Sequence, residues 1–223
     1  MAEEKIVNAT EVIETAEPPV MAIRKKKDSS IVVGLKMVKA GEADAFVSAG
    51  SSGAVLAGGQ LLVGRVKGVE RPPLAPLIPT EKGFSLLIDC GANVDARPSH
   101  LVQFAQMGSI YMNKVMGVEN PRVGLANVGT EEHKGTELYQ TTYQLLKESG
   151  LNFVGNVEGR DIPADACEVL VADGFTGNMI LKTYEGVALE LMAKIKEIFS
   201  KNLKNKLAAG MIMGDLKAFA KTM

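Results

Sequence analysis

Short apolar runs bounded by glycine and polar residues recur along this chain, with longer amphipathic stretches between them. Residues 43–47, 84–89, 122–127, 152–157 and 168–172 are of the first kind and predict buried strands. Residues 31–40 follow Asp28-Ser29-Ser30, good capping residues, and predict a helix. An apolar helical stretch runs to Leu62. Pro98 opens another helix, in which Leu101, Phe104, Ala105, Met112 and Val115 keep helical spacing. Residues 137–149 predict a further helix. After Asn178, Ile180, Tyr184, Val187, Ala188, Leu191, Ile195, Ile198 and Phe199 form one stripe at three- and four-residue spacing. Near the N-terminus the pattern is ambiguous: residues 5–8 are compatible with a short strand, and Pro18-Pro19 breaks whatever follows residues 11–14.

Strands alternating with helices, with no two strands close enough for a hairpin, predict an α/β fold around a mainly parallel sheet. No repeat or low-complexity linker marks a boundary. Residues 1–223 therefore read as a single α/β domain, with 201–223 as a protruding helical segment.

Composition narrows the function. The 223 residues are 46% hydrophobic with a formal net charge of −1, which disfavours a nucleic-acid partner. Aromatics are only 5% and tryptophan is absent, so base-stacking platforms are not expected. Cys90 and Cys167 have no metal-like spacing and fit a reducing, cytoplasmic setting. Met1-Ala2-Glu3-Glu4-Lys5 lacks an apolar core, so no signal peptide is expected, and no apolar run approaches the ~20 residues of a membrane span.

In an open α/β sheet, ligands bind beyond the carboxyl ends of the strands. Polar, glycine-rich sequence follows each predicted strand. Ser48-Ala49-Gly50-Ser51-Ser52-Gly53 is the best anion site: glycines let backbone N–H groups converge, and Ser48, Ser51 and Ser52 can donate to phosphate oxygens. It is neither a Walker loop nor GxGxxG, and its other reading is a tight turn with serine caps. Lys134, Arg160 and Lys182 can neutralise phosphate, while Asn93, Asn127, Asn156 and Asn178 can orient it or a carbonyl oxygen. Asp89, Glu131, Glu158, Asp161 and Asp173 add carboxylates, but their spacing does not identify a metal site. Each of these residues can equally cap a helix or tie down a loop.

A protein nucleophile is not expected. No GxSxG elbow is present, His100 sits in a helix's first turn, and His133 lies in a charged loop. Nothing near Cys90 in sequence would lower its pKa.

Several ordered motifs resemble those of the PlsX family of bacterial phosphate acyltransferases. Ser48-Ala49-Gly50-Ser51-Ser52-Gly53-Ala54 is similar to its SAGNTGA loop, with Ser51-Ser52 in place of Asn-Thr. Arg71-Pro72-Pro73-Leu74-Ala75 resembles RPALA, and Asp89-Cys90-Gly91-Ala92-Asn93-Val94-Asp95 resembles DxGANVD. Residues 129–135 resemble GxExxKG. Gly155-Asn156-Val157-Glu158-Gly159-Arg160-Asp161 nearly repeats a family string, and Asp173-Gly174-Phe175-Thr176-Gly177-Asn178 matches DGFxGN. The family's upstream DAMGGD-like and downstream HGSS-like segments have no counterpart here.

The resemblance implies a three-layer α/β/α fold related to the phosphate acetyl- and butyryltransferases and the isocitrate dehydrogenase-like group, a homodimer, and no metal or organic cofactor. It implies transfer of an acyl group from acyl carrier protein to inorganic phosphate, the acyl phosphate then serving glycerol-3-phosphate acylation by a membrane enzyme. For direct attack of phosphate on the thioester, the reading of the residues makes Lys134, Asn156, Arg160 and Lys182 the candidate catalytic residues. Ser48, Gly50, Ser51, Ser52 and Gly53 would bind phosphate, and Asn93, Asn127, Glu131, Glu158, Asp173 and Asn178 the rest of the substrate. The basic cluster Arg24-Lys25-Lys26-Lys27 is either a solvated loop or a landing site for the acidic carrier.

Residues 201–223 carry five lysines against one acid, Asp215, a local excess of +4 around an apolar stretch that includes Leu207, Met211 and Ile212. Such a stretch either dips into an anionic membrane surface, peripherally, or packs as a helical hairpin at a dimer interface. Two rival functions stand beside the main one: a short-chain phosphate acetyl- or butyryltransferase using coenzyme A thioesters, and a truncated, non-catalytic form that dimerises or binds membrane.

Overall fold

A computed structural model describes residues 5–220. The chain divides into two compact units on either side of the Pro72–Pro73 bond.

In the first unit, helices α1 (Pro19–Lys25), α2 (Ser30–Ala40) and α3 (Ser52–Gly58) are followed by a π-helical turn, Gly59–Val63. Ala22, Ile23, Ile31, Val32, Leu35 and Ala54 form their shared core. Ser29 caps α2, accepting from the Val32 N–H at 3.4 Å. Two expectations fail here. Helix α1 was not anticipated. It begins directly after the two prolines because proline suits a helix's first position, and Arg24 and Lys25 close its last turn, where cations suit the helix dipole. Residues 43–47 form no strand, and Val47 is 94% exposed. A strand needs a neighbour to satisfy its backbone, and among the described residues none runs beside this segment. The short strand considered at residues 5–8 is also absent.

The second unit is built on a five-stranded sheet, ordered β1-β2-β5-β3-β4. Its strands are β1 (Leu77–Thr80), β2 (Gly83–Ile88), β3 (Val123–Asn127), β4 (Phe153–Glu158) and β5 (Val169–Val171). All pairings are parallel except β1 with β2. That pair is a hairpin, contrary to expectation. Pro79 obscured β1 because proline cannot donate to a ladder, but an edge strand tolerates it.

Alternating residues feed the two faces. Leu86, Ile88, Val123, Leu125, Val169 and Val171 pack with Leu101, Phe104, Ala105, Tyr139 and Leu146, which come from α4 (Pro98–Lys114) and α5 (Glu137–Glu148). Leu87, Ala126 and Leu170 join Val157, Cys167 and Ala172 on the other face, beneath Ile180, Leu181 and Tyr184 of α6 (Gly174–Ser200). The expected three layers are therefore present. Phe104 is fully buried, and its truncation to alanine would cost about 3–5 kcal/mol.

Only the start of α6 serves this core. Farther along, Val187, Leu191, Ile195 and Ile198 are 38–60% exposed. Helices α7 (Leu203–Met211) and α8 (Met213–Ala220) follow, with Leu207, Met211 and Ile212 exposed. Lys221, counted in the basic excess, lies outside the described residues. No helix among the described residues is long and apolar enough to cross a membrane.

Candidate active site

Four parallel strands bring four loops to one edge of the sheet. Strand β2 runs into Asp89, β5 into Asp173, β3 ends on Asn127 and β4 on Glu158. The topology thus gathers the 89–95, 127–135, 158–161 and 173–178 loops, as the strand-end rule predicts.

Asp89 organises the first loop. Fully buried, its carboxylate accepts from the backbone N–H groups of Leu74 (2.8 Å), Cys90 (2.7 Å), Ala92 (3.3 Å) and Asn93 (2.6 Å), and from the Asn93 amide (3.0 Å). Asn93 is therefore bound inward, and its carbonyl accepts from the Gly174 N–H at 2.9 Å. That contact seats the start of α6 on the loop, and a side chain at Gly174 would meet the Asn93 backbone at 2.8 Å.

Asp173 caps α6. One carboxylate oxygen accepts from Phe175 N–H (2.9 Å) and Thr176 N–H (3.0 Å). The other accepts from the Thr176 hydroxyl (2.7 Å) and from the Tyr139 hydroxyl. Burial pushes its pKa up, but hydrogen bonds from Tyr139 and Thr176 outweigh that and hold it below the usual carboxylate value. Asn178, one turn on, is exposed beside Gly91.

Asn127 and Asn156 tie down the loop between them and solvent. The Asn127 amide donates to the Lys134 carbonyl (3.2 Å) and to the Asn156 side-chain oxygen (3.1 Å), while the Asn156 amide donates to the Glu131 carbonyl (2.8 Å). The Glu131 and Lys134 side chains thus sit on a loop anchored from below. Arg160 is 79% exposed and pairs with Glu158 (2.8 Å) and Asp161 (3.7 Å). Lys182 lies on the exposed side of α6, paired with Glu185 at 2.8 Å.

The serine loop lies in the first unit. Ser48 accepts from the Gly50 N–H (3.1 Å), and Ser51 caps α3 through the Ala54 N–H (3.3 Å). Ser51 is nearly buried, and Ser48 and Ser52 are exposed. Gly53 is needed for packing, since a side chain there would meet Pro19 at 2.8 Å.

Neither cysteine is poised to react. Burial first, then the Asp89 charge, pushes the Cys90 thiol up to about 11, and burial pushes Cys167 up to about 12. His100 is a buried cap whose Nδ1 accepts from the Arg97 N–H at 3.2 Å, and His133 is exposed. Among the described residues, no three His, Cys, Asp or Glu side chains group as a metal site.

The residue that sequence reasoning missed is Tyr139. It shares the core-facing side of α5 with Thr142 and Leu146. A tyrosine on a buried stripe signals a hydroxyl in need of a partner.

The chain matches, over residues 2–223, a family model described as fatty acid synthesis protein. Among curated proteins it is 52% identical over 219 residues to the phosphate acyltransferase of Caldanaerobacter subterraneus, covering 98% of this chain and 66% of that protein. It is 54% identical over 220 residues to that of Desulfitobacterium hafniense, with the same coverage. The chain thus spans about two thirds of these relatives' length. Among solved structures, a phosphotransacetylase from Streptococcus pyogenes aligns with TM-score 0.56 at 15% identity, covering 70% of this chain and 54% of that one, which is a likeness of fold.

Proposed function

The chain belongs to the fatty acid synthesis protein family, and from that membership we propose that it is a phosphate acyltransferase converting long-chain acyl-[acyl carrier protein] and inorganic phosphate to acyl phosphate, for phospholipid synthesis. The observation that carries this reading is the likeness, along 98% of the chain, to proteins named phosphate acyltransferase. The sheet edge supports it chemically. It offers the exposed Asn178 amide and the cations Lys134, Arg160 and Lys182 but a thiol held protonated, which suits a reaction in which the substrate brings its own nucleophile.

In that reaction, an oxygen of hydrogen phosphate attacks the thioester carbonyl and forms the new C–O bond. The C–S bond breaks, and the phosphate's proton passes to the departing sulfur, leaving acyl phosphate and free carrier thiol. No acyl-enzyme is needed. Lys134, Arg160 and Lys182 are the candidate cations for phosphate and the developing oxyanion. Asn127, Asn156, Asn93 and Asp173 act by fixing the loops, with Glu131, Glu158 and Asn178 framing the donor. The serine loop, Ser48 to Gly53, is a second candidate phosphate binder. We also infer a cytoplasmic homodimer in which the exposed stripe of α6 meets its counterpart. Leu207, Met211 and Ile212 would touch an anionic membrane surface, the site of the enzyme that uses the product.

The test is phosphate-dependent release of free carrier from long-chain acyl carrier protein, run beside acetyl- and butyryl-coenzyme A. Carrier release is expected. Turnover of the coenzyme A thioesters only would replace the donor assignment, and no turnover would make this chain the non-catalytic form. Ser51→Ala with Ser52→Ala should raise the phosphate KM, and an unchanged KM would remove the serine loop from phosphate binding. Binding to anionic vesicles that Met211→Asp does not weaken would remove the membrane contact.

A further inference from the structure

We propose that Tyr139 is a positioning residue whose hydroxyl, bound to the Asp173 carboxylate, holds the Lys134 loop and the first turn of α6 in one fixed arrangement. The catalytic part of this proposal rests on the acyltransfer reading above; the mechanical part does not.

Tyr139 and Asp173 belong to different layers. Tyr139 lies in α5 and packs in the core on one face of the sheet. Asp173 opens α6, which covers the other face. Their hydrogen bond crosses the sheet edge just past the end of β5, in the midst of the strand-end loops. The contact runs both ways, since the Tyr139 oxygen also lies 3.4 Å from the Asp173 N–H.

Tyr139 is equally bound to the loop before it. A side chain at Gly135, whose φ is +83°, would lie 2.6 Å from the Asn127 side-chain oxygen and 3.0 Å from the Tyr139 Cβ, so the loop's last turn is seated between these two residues. The next residue, Gln140, donates to the His133 carbonyl (2.8 Å) and the Gly135 carbonyl (3.0 Å). Movement of the start of α5 therefore moves the backbone on both sides of Lys134.

The hydroxyl is not required for packing or for capping. A phenylalanine would fill the same space, and Asp173 already has the Phe175 and Thr176 N–H groups as cap partners. Burying a phenol costs free energy unless it finds a partner, and here the partner is the residue that sets where α6 begins. Errors of about 1 Å in the placement of reacting groups cost about 100-fold in rate, so such a link acts on turnover more than on ground-state binding.

The experiment compares Tyr139→Phe with Thr176→Val in the same chain. Thr176→Val removes another donor to the same carboxylate oxygen without touching the loop. Amide hydrogen exchange is followed in residues 129–135 and 174–178, with steady-state kinetics alongside. For Tyr139→Phe, exchange should rise in both segments together, and kcat should fall about tenfold with the phosphate KM little changed. For Thr176→Val, the rise should stay within 174–178. The proposal is overturned if Tyr139→Phe loosens only 174–178 or neither segment, or if both loosen and kcat holds. Should the unsubstituted chain show no turnover, the acyltransfer reading fails separately, and the exchange pattern alone decides whether the link exists.

Discussion

Gly177 lies so close to the Asp89 carbonyl that a Cβ built on it falls 1.8 Å from that oxygen. The obstruction is backbone on a strand-end loop already fixed by the five hydrogen bonds to the Asp89 carboxylate, so nothing there can swing aside. Two effects of Gly177→Ala oppose each other. Alanine favours the helix by about 1 kcal/mol. Forcing a methyl group into filled space costs about 3 kcal/mol, and against backbone this wins. Gly177→Ala should therefore lower stability by about 2 kcal/mol, a drop in Tm of about 4–8 °C measurable by thermal denaturation. Gly186→Ala, where a Cβ meets nothing within 4 Å, should not lower it.

The Asn127–Asn156 pair gives a prediction with a sign in pH. The Asn127 amide donates to two oxygens, those of Lys134 and Asn156, while its own oxygen accepts from Val128 N–H at 2.8 Å. Asn127→Asp keeps the acceptor but turns a carboxylate oxygen toward two other oxygens. The expected cost is about 1–3 kcal/mol at pH 8. A proton on the new carboxyl restores one donor, so its pKa should be raised in the folded state and the deficit should shrink toward pH 5. Denaturant melts at the two pH values check this, and an equal deficit at both would contradict it.

Tyr139 and Asp173 bound a pH window from opposite ends. Asp173 titrates below its ordinary 3.8 when folded, so its stabilisation is full above that value and is lost as pH falls through the depressed one. Tyr139 is shifted upward, first by burial and then by Asp173, so the folded protein keeps a proton that the unfolded chain releases above 10. Stability from Tyr139 should then decline by about 1.4 kcal/mol per pH unit above pH 10. Tyr139→Phe should remove that part of the alkaline slope, measured as denaturation midpoints from pH 9 to 11.5. An unchanged slope would mean that the phenol titrates normally.

The legible and illegible parts of this chain differ physically. Buried strands such as β5 could be read because Val169, Leu170 and Val171 carry their signal in composition, and α4 because its apolar spacing is periodic. What escaped depends on partners far away in sequence. Residues 43–47 look like β5 but pair with nothing among the described residues, and β1 looks broken at Pro79 but is completed by β2. At the sheet edge, the loops were legible because glycine and polar residues cluster there. The roles within them were not, since Asn93, Asn127, Asn156 and Asp173 face inward to hold backbone, and Tyr139, 34 residues from its partner, matched no motif.

Cys90 offers the sharpest test of direct transfer. It follows β2 at the sheet edge, where an acyl-accepting thiol would have to be. With its thiol pushed up to about 11, only about one molecule in 10,000 carries the thiolate at pH 7. Cys90→Ala should leave kcat within about twofold, because the residue fills space and donates nothing to the reaction. Iodoacetamide at pH 7.5 should label neither Cys90 nor Cys167, whose thiol stands at about 12, until the protein is unfolded. Intact-mass analysis during turnover should show no acyl adduct. An adduct mapped to Cys90, with turnover lost in a folded Cys90→Ala chain, would make the thiol the first acyl acceptor and phosphate the second.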